Sequence, residues 1–323
     1  MKIQSSTNCN NAISYNQSSY VSHASASGRT DNANEQPLNS DTAFYDNDGV
    51  IYTQTALCKY ESEDGSVVFK ISATNQYENQ NIQSKLSELG FYDGPMDGNL
   101  SSNKSRSALS LFQKLYGVSG ENGTYGNKTK NKLNTAYTMY RNVTNCDGFS
   151  SIKKTYGLTN SEIANAAKIW TFLRVGMSMD ANHTAGIMGN MFLESNFSPD
   201  NAQNSKGYPG NHNPEYTYKY DDKVAYGLIQ WKDDGRKKGL LSKANELGIS
   251  VSNLNAQLAF LKQELTSSVA GNDYYKRLWD NIKGLDSVEG ICDAFRANIE
   301  GTDGDIQARR NYSTAIFNAF GAF

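Results

Sequence analysis

Gly186-Ile187-Met188-Gly189-Asn190-Met191-Phe192-Leu193-Glu194-Ser195-Asn196-Phe197-Ser198-Pro199 decides how the C-terminal half of this chain folds, together with Tyr226-Gly227-Leu228-Ile229-Gln230-Trp231. Ala181, Ala185, Met188 and Phe192 recur at the spacing of one helical face, and Glu194 ends that pattern. Burial at a helix end disfavours the charged form of a carboxyl and keeps a proton available near neutral pH. Such an acid can protonate a leaving oxygen. The second stretch would form the opposite wall: Gly227 permits a bend, Gln230 offers an amide for hydrogen bonding, and Trp231 offers a flat ring on which a sugar can lie. Gly186 and Gly189 inside the helix cost about 1 kcal/mol each, so close helix packing or substrate approach must explain them.

Upstream, Thr159-Asn160-Ser161-Glu162 offers a capping box and opens a helix that carries Ile163, Ala166, Ala167, Trp170, Leu173 and Val175. Downstream, Leu254, Leu258, Leu261 and Leu265 share one helical face, as do Ile291, Phe295 and Ile299. Residues 159–323 therefore read as almost all helix, apart from a segment at 204–224 and a small hairpin near Tyr226. Residues 141–158 read as a linker into this domain.

Residues 77–140 read as a second unit. Ile82, Leu86 and Leu89 fall at helical spacing before Gly90, and Phe91-Tyr92-Asp93-Gly94-Pro95-Met96-Asp97-Gly98-Asn99 follows with its turn signals. A second helical pattern carries Ala108, Leu109, Leu111 and Phe112, and a third lies at 129–133. Residues 1–76 form an N-terminal extension. Its first 45 or so residues are too polar to bury much surface and read as a flexible arm. The β-branched and aromatic runs 49–57 and 66–71 then read as the two strands of a hairpin around an Asp-Gly turn at 61–65.

The 323 residues suffice for about two domains, and the net charge of -2 gives no global field favouring nucleic acid. Four scattered cysteines carry no zinc-ribbon spacing, and His23, His183 and His212 have no ligand-spaced partners, so neither metal nor cofactor is expected. No apolar segment follows Met1 and Lys2, and no run of eighteen apolar residues occurs, so neither a secretory signal nor a membrane span is read.

Glu194-Ser195-Asn196-Phe197-Ser198-Pro199, with Ala202 two residues beyond Asp200, resembles the E-S-x-F-x-P-x-A signature of goose-type lysozymes and lytic transglycosylases. Gly227-Leu228-Ile229-Gln230 resembles their G-L-M-Q motif. The phage tail lysozyme domain is the closer match, continuing through Trp231, Arg236, Leu240-Leu241 and the helix from Gln257 to Leu265, so that the resemblance runs from about Ser161 to Phe320. Trp231 departs from the Ile or Val of many transglycosylases, and residues 204–224 are an insertion. The unit at 77–140 resembles the three-helix peptidoglycan-binding domain of wall hydrolases, with Gly120-Glu121-Asn122-Gly123 as an extra piece before its last helix.

The resemblance implies a mainly α protein with a lysozyme-like helical catalytic domain and a three-helix wall-binding domain behind the β-containing extension. It implies cleavage of the glycan strand of bacterial peptidoglycan, with Glu194 as general acid and Tyr226, Gln230, Trp231, Ser195 and Asn196 against the substrate. Phe91, Tyr92 and Asp97 would serve wall binding. A glycosidase of this kind needs an acid and a means of stabilising or capturing an oxocarbenium ion. Asp221, Asp222, Asp233, Asp234 and Glu264 are the candidates for that second role. A lytic transglycosylase manages with one glutamate and leaves anhydro ends. Tyr226 and Trp231 also fit as core aromatics, Arg236 as the partner of an acidic neighbour, and Glu264 as a brace for the site. An inactive tail or injection-apparatus protein is one rival reading. Another is a cysteine peptidase, because Asn145-Cys146-Asp147-Gly148-Phe149 resembles a D-C-S-G-F motif and His183 could act as its base. A wall-active chain without an export signal would reach its substrate through a holin-type hole, a virion, an injection device or cell lysis.

Overall fold

The structure is a computed structural model that describes strand residues 43–45, 51–53, 58–61 and 67–70, and residues 73–203, 216–267, 273–301 and 304–323. The polar arm before residue 43, the Asp-Gly turn, residues 204–215 and the histidines at 23 and 212 lie outside the described residues. The chain divides into two compact units, one of Met1–Lys85 with Gly94–Ser105, the other of Leu86–Asp93 with Arg106–Phe323.

The first unit holds four short strands: β1 (Ala43–Tyr45), β2 (Ile51–Thr53), β3 (Cys58–Glu61) and β4 (Val67–Lys70). They pair as two antiparallel hairpins, β1 with β2 and β3 with β4, the second in the register Tyr60 opposite Val68. This corrects the single hairpin expected from the two apolar runs. Each run pairs with a strand beside it in sequence, across a short loop whose closure costs little entropy. The unit also includes most of α1 (Ala73–Glu88) and the turn around Asp97. Gln83 holds that turn: its amide donates to Asp97 Oδ1 (2.8 Å) and accepts from the Gly98 N–H (2.8 Å).

The second unit contains α2 (Asn103–Tyr116) from Arg106 onward, α3 (Asn127–Asn145), α4 (Asp147–Tyr156), α5 (Asn160–Thr171) and α6 (Ala181–Ser195). It continues with α7 (Asp234–Leu247), α8 (Leu254–Thr266), α9 (Tyr274–Ile282), α10 (Val288–Phe295) and α11 (Ile306–Phe320). Single π-helical turns, Phe172–Gly176 and Arg296–Glu300, extend α5 and α10. The expected capping box is present: Thr159 Oγ1 accepts from the Glu162 N–H, and Glu162 Oε2 accepts from the Thr159 N–H (2.7 Å). The extra piece at 120–123 is tied down from both sides. Gln113 accepts from the Gly123 N–H (2.7 Å) and donates to the Thr124 carbonyl, while Glu121 accepts from the first N–H groups of α3.

Residues 141–158, expected as a linker, are helical: α3 runs to Asn145 and α4 fills Asp147–Tyr156. Gly148 makes that packing possible, since a Cβ there would lie 2.7 Å from backbone atoms of Ala319 on α11. The centre of the unit is α6, which packs against α10 and α11 and buries most of its side chains. Its glycines answer close helix approach. A Cβ on Gly186 would lie 2.8 Å from Ile291, and one on Gly189 would lie 2.7 Å from the Arg309 carbonyl oxygen and overlap Ser313 Oγ. Gly189→Ala should therefore lower stability by about 1–3 kcal/mol despite alanine's better helix propensity, because a well-packed core resists the added methyl. Thermal melts would show this as a lower Tm, and an unchanged or higher Tm would contradict the packing.

Candidate active site

At Ser195 α6 stops, and the next two residues take left-handed backbone conformations, Asn196 at φ 49° and Phe197 at φ 63°. Such conformations cost energy in residues other than glycine and persist only where the surroundings enforce them. Here Phe197 is buried with its ring stacked on Phe192, and its carbonyl accepts from Asn165 (3.0 Å). Ser195 faces inward: its one hydroxyl proton is shared between the carbonyls of Met191 (3.0 Å) and Leu228 (3.1 Å), fastening the end of α6 to the second motif. Asn201 completes the link by donating to the Glu194 carbonyl (2.8 Å) while its own carbonyl accepts from the Gly227 N–H (2.8 Å).

The second motif is a tight turn closed by backbone bonds in both directions between Tyr226 and Trp231. Gly227 has φ 81°, and a Cβ there would lie 2.7 Å from the Gln257 amide nitrogen. Gln257, buried in α8, accepts from the Leu228 N–H (2.9 Å) and donates to the carbonyls of Val251 (2.9 Å) and Pro199. Both motifs are thus pinned to one helix. The Gln230 amide, expected against substrate, donates to the carbonyls of Gly227 (3.0 Å) and Asn201 (3.2 Å).

Trp231 does not offer an open ring. Its indole is fully buried, and Nε1 donates to Glu264 (3.0 Å). Tyr226 is buried too, against the rings of Tyr216 and Tyr218. The physical reason is the turn itself, which directs both aromatics into the body of the domain. Beneath the turn, Arg236 makes a two-pronged ion pair with Glu264 (2.7 and 2.9 Å), donates to the Ile299 carbonyl and lies over the Tyr275 ring at 4.2 Å. Arg236 and Glu264 therefore brace the site from below.

Glu194 lies at the partly open end of α6 with its side chain 20% exposed. Its immediate partner is Arg309 of α11, whose Nη2 donates to Glu194 Oε1, so a guanidinium occupies the setting expected to be apolar. The same guanidinium donates through Nη1 to Asn190 Oδ1 (2.9 Å) and Glu300 Oε2 (2.6 Å). Burial pushes the Glu300 carboxyl up to about 8, against the pull of Arg309 and reinforced by the negative charge of Glu194. Neither Arg309 nor Glu300 was singled out from the sequence. Glu300 had only a faint local signal, since it follows the Ile291, Phe295, Ile299 face by one residue.

Three of the four aspartates considered for a second role have other work. Asp222 pairs with the fully buried Lys237 and accepts from Tyr216 (2.8 Å); burial raises its carboxyl, and these two bonds outweigh that and hold it low. Asp233 caps α7, Asp234 pairs with Lys223 (2.8 Å), and Asp221 is exposed. The thiol pair is also corrected. Cys146 Sγ donates to the Val143 carbonyl (3.1 Å) where α3 ends, whereas His183 contacts Asp180 (2.8 Å) and the Ile282 carbonyl (3.3 Å) at the start of α6. Each is committed to a different helix end, so they form no nucleophile–base couple.

Of the residues expected to serve wall binding, Tyr92 is buried and Phe91 packs edge-on against Phe112 (5.4 Å). Asp97 is exposed, and hydrogen bonds from Gln83 and the Asn99 N–H hold its carboxyl below the usual carboxylate range. A polar cleft of about 300 Å³ opens beside the chain that leaves Glu194, lined among others by Asn165, Lys168, Pro199, Asp200 and Asn255.

Residues 164–320 match the family model described as phage tail lysozyme, and residues 76–133 match that of a putative peptidoglycan binding domain. No curated protein and no solved structure matches the chain. Together the two matches make the function peptidoglycan-related and lysozyme-like, with peptidoglycan as the partner. Among the described residues no helix is long and apolar enough to cross a membrane.

Proposed function

We propose that this chain, which carries a phage tail lysozyme domain and a peptidoglycan-binding domain, cleaves the glycan strand of the bacterial wall with Glu194 as the general acid. The observation that carries this reading is the position of Glu194. It ends the buried helix α6, partly open to solvent, at the point where Ser195 and Asn201 join the two motifs. In its protonated form Glu194 gives its proton to the leaving oxygen while bond cleavage builds positive charge on the sugar, and Arg309 pairs with the carboxylate that is left. Gln230, held by two backbone carbonyls, forms the facing edge with Asn196, and the glycan runs past the cleft at Pro199 and Asp200. The proposed domains are an extension at 1–76, a wall-binding domain at 77–140, the helical connection at 141–158 and a catalytic domain at 159–323.

Hydrolysis is the first reading of the product chemistry. A lytic transglycosylase is the second, favoured by the engagement of Asp222, Asp233, Asp234 and Glu264 in ion pairs and caps, which occupies four of the five candidates for a second role. Mass spectrometry of soluble products from purified peptidoglycan separates the two. Reducing-end muropeptides identify a lysozyme, and products lighter by one water identify a transglycosylase. No glycan fragments at all would leave a catalytically inactive wall-binding or tail structural protein, which would meet the wall through a virion or injection device.

A further inference from the structure

We propose that Glu300 is a positioning residue for Glu194, a buried carboxyl that seats the Arg309 guanidinium on the Glu194 side chain. The inference rests on the reading of Glu194 as the acid, but the geometry behind it is independent of that reading. Arg309 is 4% exposed and Glu300 3% exposed, so their bond is shielded from water and from salt. Arg309 Nη1 donates to Glu300 and Asn190, and Nη2 donates to Glu194, which fixes the plane of the guanidinium across three partners from two elements, α6 and the π-helical turn that extends α10.

Glu300 Oε1 has no hydrogen-bond partner among the described residues. A buried carboxylate oxygen facing no donor is costly as an anion and much less so as a neutral hydroxyl. Its raised value, about 8, agrees with that. The neutral acid leaves the whole charge of Arg309 to Glu194; once Glu300 ionises, two carboxylates share one guanidinium. Few other charges face this group. From α7, Arg236 faces it but is already paired with Glu264, and from α10 the buried Cys292 thiol faces both Glu300 and Arg309.

The test compares wild type, Glu300→Gln and Glu300→Ala across pH 5 to 10, by glycan release from purified peptidoglycan and by the guanidinium NMR resonance of Arg309, identified by its loss in Arg309→Lys. In wild type the resonance should move with a midpoint near pH 8, and kcat should change through the same interval, as two carboxylates come to share Arg309. Glu300→Gln keeps a neutral acceptor for Arg309, so kcat below pH 7 should stay within about threefold of wild type, with both transitions near pH 8 lost. Glu300→Ala should lower kcat by about tenfold or more with KM little changed, because the substrate still binds but the acid is no longer held in place. A Glu300→Gln profile that superimposes on wild type above pH 7, or a resonance that does not titrate, overturns the proposal. If the resonance titrates as expected while wild type releases no glycan, the coupling stands and the enzymatic reading fails.

Discussion

Glu194→Gln is expected to reduce the release of soluble glycan fragments from purified peptidoglycan by about 10²- to 10⁴-fold, the range a positioned general acid contributes. The substitution keeps the shape of the side chain and a carbonyl oxygen that can accept from Arg309 Nη2, so the ion pair becomes a hydrogen bond from the guanidinium to a neutral acceptor and the end of α6 keeps its place. It removes the one property the reaction needs, a proton that can be given up. Arg309 retains Asn190 and Glu300, whose carboxyl ionises more readily without the negative charge of Glu194 and so supplies the counter-charge, and the tie from Asn201 runs to the Glu194 backbone and is untouched. The variant should therefore melt close to wild type while losing activity. Release equal to wild type would remove Glu194 from the mechanism and move the binding-protein reading ahead.

The largest expected loss of stability is at Glu264. Glu264→Ala leaves Arg236 buried without its counter-charge and takes the acceptor from the Trp231 indole, so about 3–5 kcal/mol should be lost. In a domain of this size that corresponds to a drop in Tm on the order of 10 °C. The ion pair itself adds little compared with apolar packing, because both groups were desolvated to form it; the cost lies in breaking it one-sidedly. Glu264→Gln should lose less, because its amide oxygen can still accept from the indole or the guanidinium. A Glu264→Ala melt within about 2 °C of wild type would show that the pair is not buried as described. Because Trp231 closes the second motif, activity should fall along with stability in Glu264→Ala, in contrast to Glu194→Gln, where the two separate.

Local chemistry was enough to read much of this protein from its residues. The capping box at Thr159 and Glu162, the helical faces through α6, α8 and α10, the turn at Gly227 and the place of Glu194 at the end of α6 all follow from spacing over a few residues, where side-chain type and backbone geometry are directly coupled. The two domain families were likewise legible from ordered motifs, and their matches at 76–133 and 164–320 fall where those motifs lie. The tertiary structure decided which groups meet across long separations. Arg309 reaches Glu194 over 115 residues and Trp231 reaches Glu264 over 33, and no periodicity encodes such pairings. Close helix approach at Gly186, Gly189 and Gly148 brings α6 against α10 and α11 and packs α4, in the expected linker, on α11, while the turn at Gly227 makes the expected sugar platform a buried brace. Sequence spacing specifies which face of a helix is apolar; only the stacking of the helices specifies which charge lies opposite the acid.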